Sequence, residues 1–182
     1  MSGGRPEDSG TLVAEKSPFH EAEICKVPPD LREWFEPDVL TLWIQEETKL
    51  PDWGNRTGAQ QFALAGESES EGMICLLAFS YATGVFSSDE IVRNCRADSA
   101  LQRLSGGKIP FRHELENARR QQRGALAGLL SKLFFRANSM RFTLEISELS
   151  PHWRQALYKA AMERMDIARH VNRDDDGVHP PH

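Results

Sequence analysis

The sequence predicts an all-α protein, a compact multi-helix bundle with a helix-turn-helix-like portion and disordered termini. Apolar residues recur at helical spacing in several segments of the 182-residue chain, and helix start and stop signals separate these segments. Only one short stretch alternates polar and apolar residues, and a single strand has no partner with which to form a sheet. A chain of this length can bury one core of ordinary size.

Composition favours a cytoplasmic protein without membrane segments or disulfides. Residues 1–22 are rich in Gly, Ser, Pro and charge, which predicts a disordered tail and not a signal peptide. The longest apolar run, Met73–Val85, is shorter than the roughly 17–25 residues of a membrane span. The three cysteines are odd in number and widely spaced. We therefore expect reduced thiols, with Cys75 and Cys95 in the core.

The first predicted helix begins at Pro37 or Asp38, because proline suits a first turn and aspartate favours the positive end of the helix dipole. Leu50-Pro51 is expected to end it. Its core face holds Val39, Leu40, Trp43 and Ile44. Residues 60–64 are expected to form a short helix, and the acidic segment 66–72 a mobile loop.

A central helix is predicted from Met73 to Gly84. It is apolar nearly all round, which is typical of a helix covered on several sides, and Gly84 closes it.

Capping residues predict two shorter helices after the central one. Ser87 and Glu90 have the spacing of a capping box, and the helix that they start runs to about Ala97. Asp98 is expected to cap a second helix, which Ser105-Gly106-Gly107 stops.

The net charge of −5 hides an uneven distribution. Residues 86–141 hold 11 Lys and Arg against 5 Asp and Glu, a balance of +6, so the rest of the chain holds 11 against 22. Such asymmetry predicts a basic surface with acidic flanks.

One long helix, predicted from Phe111 to about Ala137, carries much of this basic charge. Three of its arginines lie in one stripe beside the apolar face and a fourth lies further round: Arg112, Arg119 and Arg123 in the stripe, Arg120 outside it. Gly124 and Gly128 weaken the helix, so a break or bend is expected near them.

The remaining residues predict a C-terminal helical extension over residues 138–172. Residues 141–146 are expected to be a short extended stretch, and Ser150-Pro151 has the sequence of a helix start. One face of that helix can be buried through Trp153, Leu157, Ala160, Ala161, Met165, Ala168 and Val171. Residues 173–182 are expected to form a disordered tail.

The residues between Tyr81 and Pro110 also follow a known order. It comprises a Tyr-x-x-Gly helix end, a Ser-Ser/Arg-Glu-Leu start, a Cys or small residue before Arg, an Asp, and then Leu-x-Gly and Pro. Matching positions fall in place without a gap: Tyr81, Gly84, Ser87, Ser88, Glu90, Ile91, Arg93, Cys95, Arg96, Asp98, Ala100, Leu104, Gly106 and Pro110. This order resembles the InsH-type N-terminal domain of bacterial insertion-sequence transposases.

The likeness covers about residues 27–135, and it implies a helical DNA-binding domain over residues 23–137. It is looser over residues 27–53. The chain departs from the family at three positions: Leu101 and Arg103 replace aromatic residues, and Ala118 replaces the Phe of a Phe-Arg-Arg motif. Core packing around these positions must therefore differ.

The resemblance does not extend to catalysis. Full-length members carry a downstream ribonuclease-H-like domain whose acidic residues bind two metal ions. Only about 45 residues follow the module, without the strands of such a domain, and Asp174, Asp175 and Asp176 form an acidic run in the tail. We expect no enzymatic activity, no metal site and no cofactor.

The sharpest functional hypothesis is contact with the phosphates of double-stranded DNA. Six basic residues are the candidates: Arg103, Lys108, Arg112, Arg119, Arg120 and Arg123. Guanidinium groups suit phosphate oxygens, and a turn followed by a basic helix is the order of a helix-turn-helix reader. These arginines can also form a solvated face, because Glu116 has i,i+4 spacing to both Arg112 and Arg120.

A second hypothesis is a protein-interaction module. Its apolar helix faces would mediate a homodimer or an association with full-length transposase. The two hypotheses differ in salt dependence, because binding through phosphates weakens steeply with added salt and apolar association does not.

Overall fold

The computed structural model describes residues 26–49, 67–142 and 151–176. These residues form a 3-10 turn, Leu31–Glu33, and seven α-helices, without a strand among them. The helices are α1 (Pro37–Thr48), α2 (Glu67–Ala82), α3 (Ser88–Ala97), α4 (Ser99–Leu104), α5 (Arg112–Gln121), α6 (Arg123–Phe142) and α7 (Pro151–Asp176). The prediction of an all-α, compact bundle is confirmed.

Helix α2 is the centre of the bundle, as its sequence predicts. Every residue from Gly72 to Thr83 is buried. The helix packs against α1, α4, α5, α6 and α7. Gly84 follows with φ of 76°, a left-handed conformation that suits glycine at a helix end. Cys75 and Cys95 both lie in this core, as predicted.

The start of α2 differs from the prediction. The acidic segment expected to be a mobile loop is helical from Glu67 onwards. Glutamate has a high intrinsic helix propensity, so a glutamate-rich sequence can continue the apolar helix towards its N-terminus. At Gly72 the helix touches the turn after α4, because a Cβ atom there would lie 2.8 Å from the carbonyl carbon of Ser105.

Helix α3 is capped by a distant residue and not by its own capping box. Ser87 is the N-cap residue, but its side chain makes no capping hydrogen bond. Instead, Oδ1 of Asn172 accepts a hydrogen bond from the backbone N–H of Ser88 at 2.9 Å. Nδ2 of Asn172 also donates to the carbonyl of Phe86 at 3.0 Å. The predicted capping box is wrong because α7 supplies the cap.

Helix α4 has the cap that its sequence predicts. Oδ1 of Asp98 accepts a hydrogen bond from the N–H of Ala100 at 2.7 Å. Gly106 and Gly107 end the segment with φ of 76° and 83°.

A buried arginine joins α7 to the end of α2. Arg164 is 7% exposed and donates to the carbonyls of Pro28, Pro29 and Tyr81, the last at 2.7 Å. Its guanidinium lies 5.3 Å from the ring centroid of Phe134. Burial lowers the pKa of Arg164, and the negative charge of Asp30 partly offsets this. A positive charge at the last carbonyls of a helix is favoured by the helix dipole.

The long basic helix predicted from Phe111 is two helices. Residue Gln122, with φ of −115° and ψ of 29°, separates α5 from α6. The break does not fall at Gly124 or Gly128, which both lie inside α6. Tertiary packing explains the position of the break, because α5 packs on α2 and α3 whereas α6 packs on α1, α2 and α7.

Both C-terminal helices extend beyond their predicted ends. Helix α6 runs to Phe142, so the first two residues of the predicted extended stretch, Arg141 and Phe142, are helical. Helix α7 begins at Pro151, as predicted, and runs to Asp176. Residues 173–176 are therefore helical and not part of a disordered tail. The domain boundary predicted at residues 137–138 lies inside α6.

Several predictions concern residues outside the described ranges. They are the tail over residues 1–22, the helix end at Leu50-Pro51, the short helix over residues 60–64, residues 143–146 of the extended stretch and residues 177–182 of the second tail.

Candidate nucleic-acid interface

The predicted site is centred on α5 and the turn before it. Phe111 is the N-cap residue of α5, and its backbone N–H donates to Oε2 of Glu114 at 2.7 Å. Leu115 and Ala118 are buried and fix the inward face of the helix. The arginines of α5 are thereby divided between an inward edge and an outward face.

Arg119 points into the bundle. Its Nε donates to the hydroxyl of Tyr81 at 2.7 Å, and its Nη2 donates to Oγ of Ser88 at 2.6 Å. Tyr81 is fully buried, and burial raises the pKa of its hydroxyl despite the nearby guanidinium. Arg119 thus connects α5 to α2 and α3. Its guanidinium is hydrogen-bonded within the bundle and has a structural role, so it is not an exposed group that contacts phosphates.

Arg112 connects α5 to α3 at the surface. Its Nε lies 2.8 Å from Oε1 of Glu116, and its Nη1 lies 3.2 Å from Oδ2 of Asp89. Asp89 is in the first turn of α3, as is Ser88, the partner of Arg119. Because Arg112 and Arg119 are two turns apart on α5, the helix crosses the first turn of α3.

Arg123 is not part of the stripe predicted on one continuous helix. It begins α6, and its Nη2 lies 3.0 Å from Oδ1 of Asp166 on α7. Asp166 is shared with Arg169, whose Nη2 lies 3.1 Å from the same oxygen. Both pairs are partly exposed, so they contribute little to stability but orient Arg123 towards α7.

The other three predicted residues are exposed. Arg103 lies at the end of α4 and lines a shallow cavity of about 280 Å³ between α1, α2 and α4. Lys108 lies in the turn between α4 and α5. Arg120 is on the outer face of α5, where its Nη2 donates to Oδ1 of Asn117 at 2.7 Å. The structure therefore leaves half of the predicted set at the solvent surface.

Two exposed arginines of α3 were not among the predicted site residues. Arg93 and Arg96 lie about 140° to 200° around the helix from the buried Ile91. In the part of the chain that the structure describes, neither side chain forms an ion pair with a carboxylate. The alternation of buried Ile91 and Cys95 with these arginines is the sequence signal that predicts a basic outward face.

The outward face of α5 carries an aromatic pair at its start. The rings of Phe111 and His113 are stacked, with centroids 5.7 Å apart and an interplanar angle of 13°. Phe111 is 65% exposed, and Ile109 in the preceding turn is 44% exposed. The surface beside the arginines thus contains apolar groups as well as charge.

The described residues were also searched for a metal site and for a reactive thiol. They contain no group of three or more His, Cys, Asp or Glu residues placed to hold a metal ion. Burial raises the pKa of Cys75 to about 12 and also raises that of Cys95, so neither thiol is an activated nucleophile.

Within residues 26–49, 67–142 and 151–176, every helix is too short or too polar to cross a bilayer.

Comparison with known proteins found no matching family model, no matching curated protein and no matching solved structure.

Proposed function

We propose that this chain binds double-stranded DNA through the outward faces of α3 and α5, the end of α4 and the turn before α5. One observation carries the proposal: Arg93, Arg96 and Arg103 are exposed and lack a carboxylate partner among the described residues. Around α3 to α5, Arg112 is paired with Asp89 and Glu116 and Arg119 is held by Tyr81 and Ser88, so the exposed arginines are the ones available to a polyanion. Guanidinium groups at a protein surface suit phosphate oxygens.

The proposal changes the role of three residues predicted to contact DNA. Arg112, Arg119 and Arg123 position α5 and α6 through Asp89, Tyr81, Ser88 and Asp166. Arg103, Lys108 and Arg120 keep their proposed role as phosphate or base contacts. The resemblance to InsH-type domains agrees with this function, and membership of that family stays a prediction. No catalytic step is assigned to the chain.

The test measures how binding to a labelled duplex depends on salt. We expect fluorescence anisotropy to show an affinity that falls steeply between about 50 and 200 mM NaCl. The double variant Arg93→Ala/Arg96→Ala should bind more weakly, with the slope of log K against log salt reduced by about 2.

The matched control is Arg141→Ala/Lys159→Ala, which removes the same charge from exposed positions on α6 and α7. Arg141 lies 18 residues after the start of α6, roughly 27 Å away along the helix. The control should keep the wild-type slope. Equal losses in both double variants would show a general charge effect and would remove the assignment to α3.

A specific observation favours self-association as a second function. Leu42 on α1 and Met140 on α6 are large apolar residues that are 53% and 62% exposed. Glu46 and Arg136 form an ion pair of 2.7 Å between these antiparallel helices. Leu42 precedes Glu46 by one turn and Met140 follows Arg136 by one turn, so the two apolar residues are neighbours. Val39 lies one turn before Leu42 and is 36% exposed, so the three residues offer an apolar surface that a second copy of the chain can cover.

Light scattering after gel filtration tests this second function. We expect the wild-type protein to be a dimer. The double variant Leu42→Glu/Met140→Glu should be a monomer, whereas Tyr158→Glu should remain a dimer. Tyr158 is a suitable control because it is a large exposed residue on α7. A wild-type protein that is monomeric at the highest attainable concentration excludes a homodimer through this surface.

A further inference from the structure

The solvent-facing stripe of α5 has a composition suited to base recognition. His113, Asn117 and Arg120 are exposed and lie at positions i, i+4 and i+7, about 140° to 200° around the helix from Leu115. These side chains can donate and accept hydrogen bonds at base edges. We call His113, Asn117 and Arg120 the α5 stripe.

A hydrogen bond within the stripe orients its arginine. Oδ1 of Asn117 accepts from Nη2 of Arg120 at 2.7 Å. This bond uses one of the five donors of the guanidinium and leaves the others free to meet a bidentate acceptor. This bond uses one of the two lone pairs of the Asn117 carboxamide oxygen and holds the side chain towards Arg120, so Asn117 is suited to positioning Arg120.

The dimensions of the stripe fit the major groove. From His113 to Arg120 the helix rises about 10.5 Å, the length of about three base-pair steps. The groove is about 12 Å wide and admits an α-helix. At the start of the stripe, the stacked rings of Phe111 and His113 add an exposed apolar surface that suits a thymine methyl group.

The surroundings of the stripe match this docking. Helix α5 crosses the first turn of α3 at the contact between Arg112 and Asp89. Arg93 and Arg96 follow Asp89 by one and two turns, so these exposed arginines lie on the face of α3 whose first turn contacts α5. In helix-turn-helix proteins a neighbouring helix contacts the phosphate backbone while the reading helix enters the groove.

We infer that the α5 stripe reads base edges in the major groove of double-stranded DNA, with Arg120 contacting guanine and Asn117 positioning it. The inference rests on the proposed function and adds to it a sequence preference centred on about three base pairs. Arginine paired to O6 and N7 of guanine is the commonest specific contact of this kind. Phosphate contacts alone carry no such preference.

The experiment selects bound duplexes from a random library and sequences them. The wild-type protein should enrich a short motif that contains a fixed guanine. Arg120→Lys keeps the charge but not the planar fork, so it should lose about tenfold to a hundredfold of the preference for that guanine. Asn117→Ala should reduce the same preference while leaving the salt dependence unchanged.

Variants of α3 separate this inference from the proposed function. Arg93→Ala/Arg96→Ala should enrich the wild-type motif with lower affinity, because phosphate contacts position the protein without reading sequence. Salt-dependent binding of the wild type without any enriched motif would leave the proposed function standing and overturn the base-reading role. Absence of duplex binding would overturn both.

Parallel selections on single-stranded DNA and on RNA duplexes test whether the motif is recognised only in double-stranded DNA. The deep, narrow major groove of A-form RNA does not admit the side chains of a helix. Enrichment of a motif in the RNA or single-strand pool, but not in the DNA duplex pool, would therefore contradict the inference. Folding of every variant is checked by its far-UV helical signal, which an exposed substitution on α5 should not change.

Discussion

Asn172 on α7 caps the N-terminus of α3 through the backbone N–H of Ser88, at 2.9 Å and across 84 positions in the sequence. Two turns earlier on the same face of α7, Arg164 binds the carbonyl of Tyr81 at the end of α2. Helix α7 therefore holds both sides of the turn between α2 and α3. Because α5 crosses the first turn of α3, this arrangement also fixes the orientation of the proposed DNA-binding surface.

Removal of the distant cap should destabilise the bundle. Asn172→Ala removes the acceptor for Ser88 and the donor to Phe86, and we expect it to lower the free energy of unfolding by about 1–2 kcal/mol. Urea unfolding followed by circular dichroism measures the change. Asn117→Ala, the same substitution at an exposed position, should change stability by less than about 0.5 kcal/mol. Equal effects would show that the cap contributes nothing.

Arg164 should be more important for stability than an exposed arginine on the same helix. Arg164→Met keeps much of the side-chain volume but leaves the carbonyls of Pro28, Pro29 and Tyr81 without their donor. We expect a loss of about 2–4 kcal/mol, since buried acceptors without partners are costly. Arg169→Met is the control, because Arg169 is exposed and its ion pair with Asp166 contributes little. Similar unfolding midpoints for the two variants would contradict this assignment.

Replacement by alanine should change the stability of the protein in opposite directions at two glycines. At Gly72 a Cβ atom would lie 2.8 Å and 2.9 Å from backbone atoms of Ser105, so Gly72→Ala should cost about 1–3 kcal/mol. At Gly128, inside α6, nothing lies within 4 Å of the added atom. Gly128→Ala should therefore stabilise the protein by about 0.5–1 kcal/mol through helix propensity. Thermal unfolding of both variants checks the difference, and a shift in the same direction would contradict the packing at Gly72.

Local signals in the sequence were sufficient for much of the fold. Pro37 marks the start of α1, Asp98 caps α4 and Gly84 closes the region of α2, each through a property of the residue itself. Long-range contacts explain the failures. The cap of α3 comes from Asn172, and the break at Gln122 arises where the packing partners besides α2 change from α3 to α1 and α7.

The candidate site shows the same division between local and long-range information. Periodicity placed Arg120 further round the helix than the other three arginines, and in the structure it lies on the outer face of α5. Periodicity could not show that Arg119 binds Tyr81 and Ser88, because those partners lie 38 and 31 positions away. The pattern of α3 was sufficient to predict that Arg93 and Arg96 are exposed. The predicted site was instead placed on the long helix because that helix carries more positive charge.

The buried thiols should be unreactive in the folded protein. Burial, with a smaller effect of the Glu71 charge, raises the pKa of Cys75 to about 12, so about one in ten thousand thiols is ionised at pH 8. Burial also raises the pKa of Cys95. In a Cys25→Ser variant, a thiol reagent at pH 8 should modify both residues only after unfolding in urea. Stoichiometric labelling of the folded variant within seconds would show that one of them is accessible.

Replacement of a buried amide on α6 should stabilise the bundle. Asn138 is fully buried, and neither Oδ1 nor Nδ2 has a hydrogen-bond partner among the described residues. An unpaired polar group in a core has lost its hydration without compensation, so Asn138→Leu should raise the free energy of unfolding by about 1–2 kcal/mol. Asn138→Ala removes the same polar group but leaves a cavity, and its gain should be smaller or absent. Urea unfolding of the two variants separates these effects. If Asn138→Leu instead lost as much stability as Asn172→Ala, the prediction would be contradicted. The amide of Asn138 would then have a hydrogen-bond partner in the folded protein in solution.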